Sequence, residues 1–354
     1  MKLGHSKVSV VTALLVCLGF AIPTAWAQVP PPGDSSWLLV PLVSSSPKLG
    51  TSVGVLGAYV TTFDPGSRVS LFGAMYQYTS TESSIGSVFA RTSFSADHHR
   101  IVALAAFGLI KNDYQDYLGT GQSLMTDDNF GTVAARYQYR VVGDWFIGLQ
   151  ANAANYQLLG ATAEDDLVLE TLGVRGFSSV AVGAVLMHDS RDNIDMPMRG
   201  WYANVNNLAY REALGGSSSF DAYRADIKLF LAHGGRHVLA VRQFNWLTQD
   251  APAGGEATII LRGYKFGQYL APYMSSFEAE ERLLFGRRWG ATLFGGVAGL
   301  YGSGSTPLDR HTYPTWGLGL QFVLKPEQQM LASLEFAQGI EDNHGVYLKF
   351  GYGW

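Results

Sequence analysis

Cysteine is nearly absent: Cys17 is the only one among 354 residues. It lies in an amino-terminal segment that reads as an export signal, so the exported chain has no thiol with which to build a disulfide or a cysteine metal site. Charge is scarce as well, at 15% of residues, against roughly 25% in an average globular protein. The formal net charge of −4 shows no basic excess, and no Lys/Arg cluster is interleaved with aromatics. That combination excludes the usual electrostatic footprint of a nucleic-acid binder. After residue 27 no continuous apolar stretch is long enough for a membrane helix, which excludes a helical membrane protein. What the chain does have is 41 glycines and 13% aromatics, a composition that suits a protein whose apolarity is hidden by alternation.

The export signal comprises Lys2 and Lys7, an apolar run from Val8 to Ile22, and Ala25-Trp26-Ala27 ahead of Gln28. Val16 lacks the small side chain of a lipoprotein processing site. The expected layout is a signal peptide over 1–27, a short Pro-rich periplasmic leader over 28–36, and a barrel over 37–354.

Strands that cross a bilayer are about ten residues long, with apolar side chains at alternate positions. Trp316, Leu318, Leu320, Phe322 and Leu324 alternate with Thr315, Gly317, Gly319 and Gln321. Tyr223, Ala225, Ile227, Leu229 and Leu231 alternate with Arg224, Asp226 and Lys228, and Val133, Ala135, Tyr137 and Tyr139 with Thr132, Arg136, Gln138 and Arg140. One row of each set fits lipid and the other a polar lumen. About sixteen such runs fit between Trp37 and Trp354, which predicts an all-β, transmembrane antiparallel β-barrel of sixteen strands. Short turns at Asp64-Pro65-Gly66, Val142-Gly143-Asp144, Gly234-Gly235, Phe285-Gly286-Arg287 and Lys325-Pro326-Glu327 fall at one end. Long loops, from Asn112 to Phe130, Gln157 to Gly176, Gln249 to Ser276 and Gly302 to Thr312, fall at the other. A soluble β-sandwich would share the alternation, because alternation alone does not say which face meets lipid.

The last run, with Gly345, Val346, Leu348, Phe350, Tyr352 and Trp354, ends on an aromatic residue at the position of an interfacial girdle. It resembles the carboxy-terminal insertion signal of outer-membrane barrels. Two further segments carry more information. The first is His188-Asp189-Ser190-Arg191-Asp192-Asn193, followed by Pro197 and Gly200, on a short turn. The second is Leu261-Arg262-Gly263-Tyr264 within the longest loop, ahead of a strand with Glu280-Glu281-Arg282. In this order they resemble the outer-membrane-protein-85 superfamily of bacterial surface antigens, which includes BamA, TamA and two-partner secretion transporters.

The resemblance implies that the loop between strands 11 and 12 folds back into the lumen. There Arg262 meets a carboxylate on a following strand, with Glu280 the natural partner, Gly263 passing close to the wall and Tyr264 packing on it. A second acid is usual on the next strand, but Val297 stands at its place in Gly295-Gly296-Val297-Ala298-Gly299. For Asp189, Arg191, Asp192 and Asn193 the expected role is a polar turn capped by its own side chains. The same stretch lacks the Gly and the bidentate Glu of a calcium loop, so no metal is assigned, and no cofactor is.

The family's transporters carry periplasmic POTRA domains, for which the short leader leaves no room. The resemblance then implies localisation in the bacterial outer membrane and a part in translocation of protein or lipid or in outer-membrane assembly. Its partners would be outer-membrane lipid, the barrel assembly machinery during insertion, and a client polypeptide or lipid. A passive pore or structural surface antigen is the alternative, supported by the lumen charges Arg136, Arg140, Arg224, Asp226 and Lys228. An enzyme is not expected, because His98, His99, His188 and Ser35 have no identifiable third member of a catalytic set.

Overall fold

The computed structural model describes residues 36–46, 49–114, 123–171, 176–194, 197–235, 237–285, 288–303, 310–325 and 330–350. The export signal, Tyr352 and Trp354 lie outside the described residues. Where the sequence alternates with period two, strands form: β1 (Ser36–Ser46), β2 (Gly50–Thr61), β3 (Ser70–Thr79), β4 (Ser84–Phe94), β5 (His99–Tyr114), β6 (Leu124–Val142), β7 (Trp145–Gly160) and β8 (Phe177–Asp189). They continue as β9 (Gly200–Tyr210), β10 (Phe220–His233), β11 (His237–Gln249), β12 (Tyr273–Phe285), β13 (Trp289–Tyr301), β14 (Thr312–Lys325), β15 (Met330–Gln338) and β16 (His344–Phe350). Each pairs with its neighbours in the chain to give one sixteen-stranded antiparallel sheet in chain order, and β16 comes alongside β1, so the sheet curls round an interior.

Exposure decides between lipid and a sandwich partner. On β14 Trp316, Leu318 and Leu320 are 53%, 52% and 60% exposed, while Thr315 and Gln321 on the other face are 4% and 1%. β10 repeats the arrangement, with Tyr223, Ile227, Leu229 and Leu231 exposed outward. A soluble sandwich would bury these apolar rows against its second sheet. A continuous exposed apolar belt is stable only against hydrocarbon, and the fold is therefore a transmembrane antiparallel barrel. Aromatic pairs border the belt at both ends of the wall: Tyr273 and Tyr301 at the long-loop end, with ring centroids 5.5 Å apart, and Trp289 and Phe322 at the short-turn end, 4.8 Å apart.

Two sequence expectations need correction. The stretch from Asn112 to Phe130 is not all loop: β5 and β6 continue into it, with Ile110 paired to Asp128 and Tyr114 to Leu124. This hairpin presents Asp113, Asp127 and Asn129 on the face that carries apolar residues lower down, because it extends beyond the belt into water. Likewise β7 runs to Gly160, and the connection after it contains α1 (Ala163–Thr171). The helix begins at a reciprocal cap, in which Asp165 N–H donates to Thr162 Oγ1 and Thr162 N–H to Asp165 Oδ2, both at 3.2 Å.

The second correction concerns the lumen, which is polar only in part. Its long-loop half is filled by Ile259, Leu261, Tyr264, Phe266, Tyr269 and Leu270 of the loop after β11, packed on wall residues that include Leu56, Phe130, Tyr210, Phe244, Trp246 and Met274. The alternating sequence shows only that one row avoids lipid. It does not show that a loop returns to cover that row.

Candidate functional site

The loop between β11 and β12 is built to reach inward. A two-residue ladder, Ala257–Thr258 with Leu270–Ala271, closes its base, and the Thr258 Oγ1 accepts from Gly267 N–H at 3.1 Å. The segment between returns Arg262, Gly263 and Tyr264 to the wall. Gly263 has φ of 97°, and a Cβ there would lie 3.1 Å from the Gly339 nitrogen, so both backbone conformation and space favour glycine. Its N–H donates to the Tyr347 hydroxyl at 2.8 Å. The Tyr264 hydroxyl donates to the Pro314 carbonyl at 2.6 Å and accepts from Ile340 N–H at 3.2 Å. The Thr315 hydroxyl donates to the Arg262 carbonyl at 2.7 Å. The tip is thus bonded to β14, to β16 and to the turn between β15 and β16.

The Arg262 guanidinium is nearly buried and meets three carboxylates. Nη1 lies 2.7 Å from Glu280 Oε2 and 3.0 Å from Glu335 Oε2, and Nη2 lies 3.2 Å from Glu278 Oε1. Its flat face covers the Phe294 ring, with Cζ 3.4 Å from the centroid. Phe294 has room because Gly317 stands beside it on β14, where a Cβ would fall 2.1 Å from the ring. The planar fork of arginine satisfies several carboxylates at once, which an ammonium cannot do with the same geometry.

Arg262 and Glu280, named together in the resemblance, lie within salt-bridge distance, but the supporting acids differ. Val297 points outward and is 41% exposed. The position on β13 that faces Arg262 is Phe294, which supplies a ring in place of a carboxylate. The additional acids are Glu278, two residues before Glu280 on β12, and Glu335 on β15. Glu335 lies in the row Ser333, Glu335, Ala337, which is buried on the lumen side. An acid inside an otherwise apolar alternating strand was the available signal for it.

The turn after β8 forms the other cluster. Asp189 accepts from Arg191 Nε at 2.7 Å and from Arg68 Nη1 at 2.9 Å, and Arg100 Nη1 lies 3.5 Å away. Asp97, in the turn after β4, binds Arg100 and Arg140 at 2.6 and 2.5 Å and Arg68 at 3.3 Å. Burial opposes the Asp97 charge, yet hydrogen bonds from Arg100 and Ser93 and the charges of Arg100 and Arg68 hold its carboxyl below the usual range. Asp192 caps the turn, its Oδ1 accepting from Met198 N–H at 3.0 Å and Arg199 N–H at 3.2 Å. Asn193 lies on the same turn. Gly200 has φ of 99°, and a Cβ there would fall 2.2 Å from the Ser190 carbonyl oxygen.

Pro197 and Met198 show what the polar pattern concealed: the turn folds under the barrel. Met198 packs on Phe230, Val238 and Ala240, and the Pro197 carbonyl accepts from Arg282 Nη1 at 3.4 Å. Arg282 Nε also donates to Glu280 Oε1 at 2.6 Å. The two segments singled out in the sequence are consequently joined through Arg262, Glu280, Arg282 and Pro197. At the carboxy-terminal end, Gly345 is buried and Val346 is exposed outward; Leu348 and Phe350 lie on β16, but their side chains are not among those described.

The chain folds like several solved outer-membrane barrels. BamA from Haemophilus ducreyi lacking POTRA domains 1-3 superposes with a TM-score of 0.59 at 9% identity, over 90% of this chain and 69% of that one. CdiB from Acinetobacter baumannii gives 0.60 at 9% identity over 90% of this chain, and CdiB from Escherichia coli 0.58 at 9% over 92%. The chain spans 60% and 63% of those two CdiB chains. No family model and no curated protein matches the sequence. At this identity the likeness establishes the fold: a β-barrel of the architecture seen in BamA and CdiB.

Proposed function

We propose that the protein is an outer-membrane barrel of the surface antigen type, acting in translocation or assembly of protein or lipid. In this role Arg262, Gly263 and Tyr264 latch the long loop inside the lumen. The observation that carries the reading is the burial of one guanidinium among Glu278, Glu280 and Glu335. A polar cluster of this kind is costly to desolvate and is retained where a defined loop position matters. The short-turn end then faces the periplasm and the long loops face outward. Outer-membrane lipid is the solvent of the belt, the assembly machinery inserts the chain by its carboxy-terminal strand, and the client is a polypeptide or lipid. A passive pore fits less well, because the loop fills the half of the lumen that a solute would have to cross.

Depletion of the protein in its host, followed by quantitative proteomics and lipid analysis of the outer membrane, tests the role. Loss of specific surface proteins or lipids supports it. An unchanged outer membrane, together with steady solute conductance of the purified protein in planar bilayers, would replace it with the pore.

A further inference from the structure

A hydrogen-bonded row of side chains on the outer wall descends from the long-loop girdle into the apolar belt. The Tyr301 and Ser275 hydroxyls lie 2.9 Å apart, the Ser275 hydroxyl donates to Asn245 Oδ1 at 2.9 Å, and Gln243 Nε2 donates to the same oxygen at 3.2 Å. Register places the amides on the outer face. Asn245 on β11 stands between Ala225 on β10 and Ser275 on β12, and Gln243 between Ile227 and Phe277, which are 43% and 48% exposed. Leu247, farther up β11, pairs with Tyr273 of the girdle. On a tilted strand that sets Gln243 about 10 Å below the girdle. The row is incomplete at this deep end. Gln243 keeps its Oε1 and an N–H, and Asn245 keeps its Nδ2 hydrogens, without a partner among the described residues. By contrast Glu281, the outward acid lower on β12, meets His233 Nε2 at 2.8 Å. An open amide costs far more in hydrocarbon than in water. Acyl chains offer it nothing, and their ester groups contain no donor for Gln243 Oε1.

We propose that this face binds a second copy of the chain, related to the first by a two-fold axis along the membrane normal. Such an axis keeps every residue at its own depth, so Gln243 meets Gln243 of the second copy. A primary amide is self-complementary: the open N–H of each donates to the open Oε1 of the other, and the second lone pair of that oxygen accepts from Asn245 Nδ2. Donor and acceptor are thus matched by an identical surface, which no acyl chain provides. The neighbours of the row are small, with Ala225 beside Asn245 and Gly299 opposite Ser275, so a second wall can approach closely. Ile227 and Phe277 then pack as an apolar rim around the amides. The interface uses only the outward face of the barrel and stands apart from the translocation or assembly role.

Sedimentation equilibrium of the folded protein in a density-matched detergent, over a range of protein-to-detergent ratios, should show a reversible monomer–dimer equilibrium. Gln243→Leu with Asn245→Leu removes the open amides from the outward face and should weaken dimerisation by about tenfold or more. Gel migration of unheated samples verifies that the variant is folded. In liposomes, with Cys17→Ser so that the introduced thiol reacts alone, Gln243→Cys should oxidise to a disulfide-linked dimer. Val88→Cys, at a position 52% exposed on β4, should not. A monomer at every ratio overturns the proposal, and so does equal dimerisation of the folded double leucine variant or equal crosslinking at positions 243 and 88. A monomer that retains lipid in native mass spectrometry, and loses it in the double leucine variant, assigns the amides to a lipid with hydroxyl or amide donors instead.

Discussion

Replacing Arg262 with Ala removes the cation shared by Glu278, Glu280 and Glu335 and leaves three carboxylates in a confined space, all three buried. Arg282 still bonds Glu280, and that moderates the cost. Breaking a buried pair costs about 3 to 5 kcal/mol, and the lower value applies here. If the lost energy appears as release of the loop tip, about 3 kcal/mol raises the open population by about 150-fold. Protease added to the long-loop face of the reconstituted barrel reads this as the rate of cleavage between Gln249 and Tyr273. Glu335→Gln removes one of three acceptors, costs about 1 kcal/mol, and should speed cleavage only about fivefold. Arg262→Ala with Glu280→Ala should be no worse than the more damaged single variant, since the two act as one unit. A loop cut at equal rates in the unaltered protein and in Arg262→Ala would mean that Arg262 does not hold it.

Gly263→Ala forces a side chain into a positive φ next to Gly339 and should lower the thermal unfolding midpoint by an amount corresponding to about 1 kcal/mol or more. Gly317→Ala sets a Cβ against both the Phe294 ring and the Phe336 carbonyl and should accelerate loop cleavage, with migration on unheated gels checking that the barrel still forms. Asp97 has a folded pKa below its unfolded one, so its contribution is present above the unfolded value near 3.8 and is lost as pH falls through the folded value. Unfolding of the detergent-folded protein should thus become steeply easier below about pH 4, and less steeply in Asp97→Asn.

The strands were legible because a membrane wall writes its pattern twice, in apolar outward rows such as Trp316, Leu318 and Leu320 and in inward Arg224, Asp226 and Lys228. Connection lengths added the two ends. The pairing of Arg262 with Glu280 comes from the resemblance alone, since a spacing of 18 positions does not by itself bring a loop tip to a strand. Glu335 is 73 positions from Arg262, and only sheet order brings β15 to the loop tip. The hairpin of β5 and β6 beyond the belt resembled a loop, because strands in water no longer need an apolar outer row. The inward fold of the turn after β8 rests on Pro197 and Met198, two residues without a polar signature.

The loop tip lies inside the barrel, against β14 and the turn after β15. A benzoylphenylalanine in place of Tyr264, irradiated in the folded protein in nanodiscs and mapped by mass spectrometry, tests it directly. The ring of Tyr264 lies 6.0 Å from that of Tyr313, and its hydroxyl is 2.6 Å from the Pro314 carbonyl and 3.2 Å from the Ile340 nitrogen. Crosslinks to peptides containing residues 313–315 and 339–340 are expected; crosslinks to lipid, or none within the chain, would contradict the account.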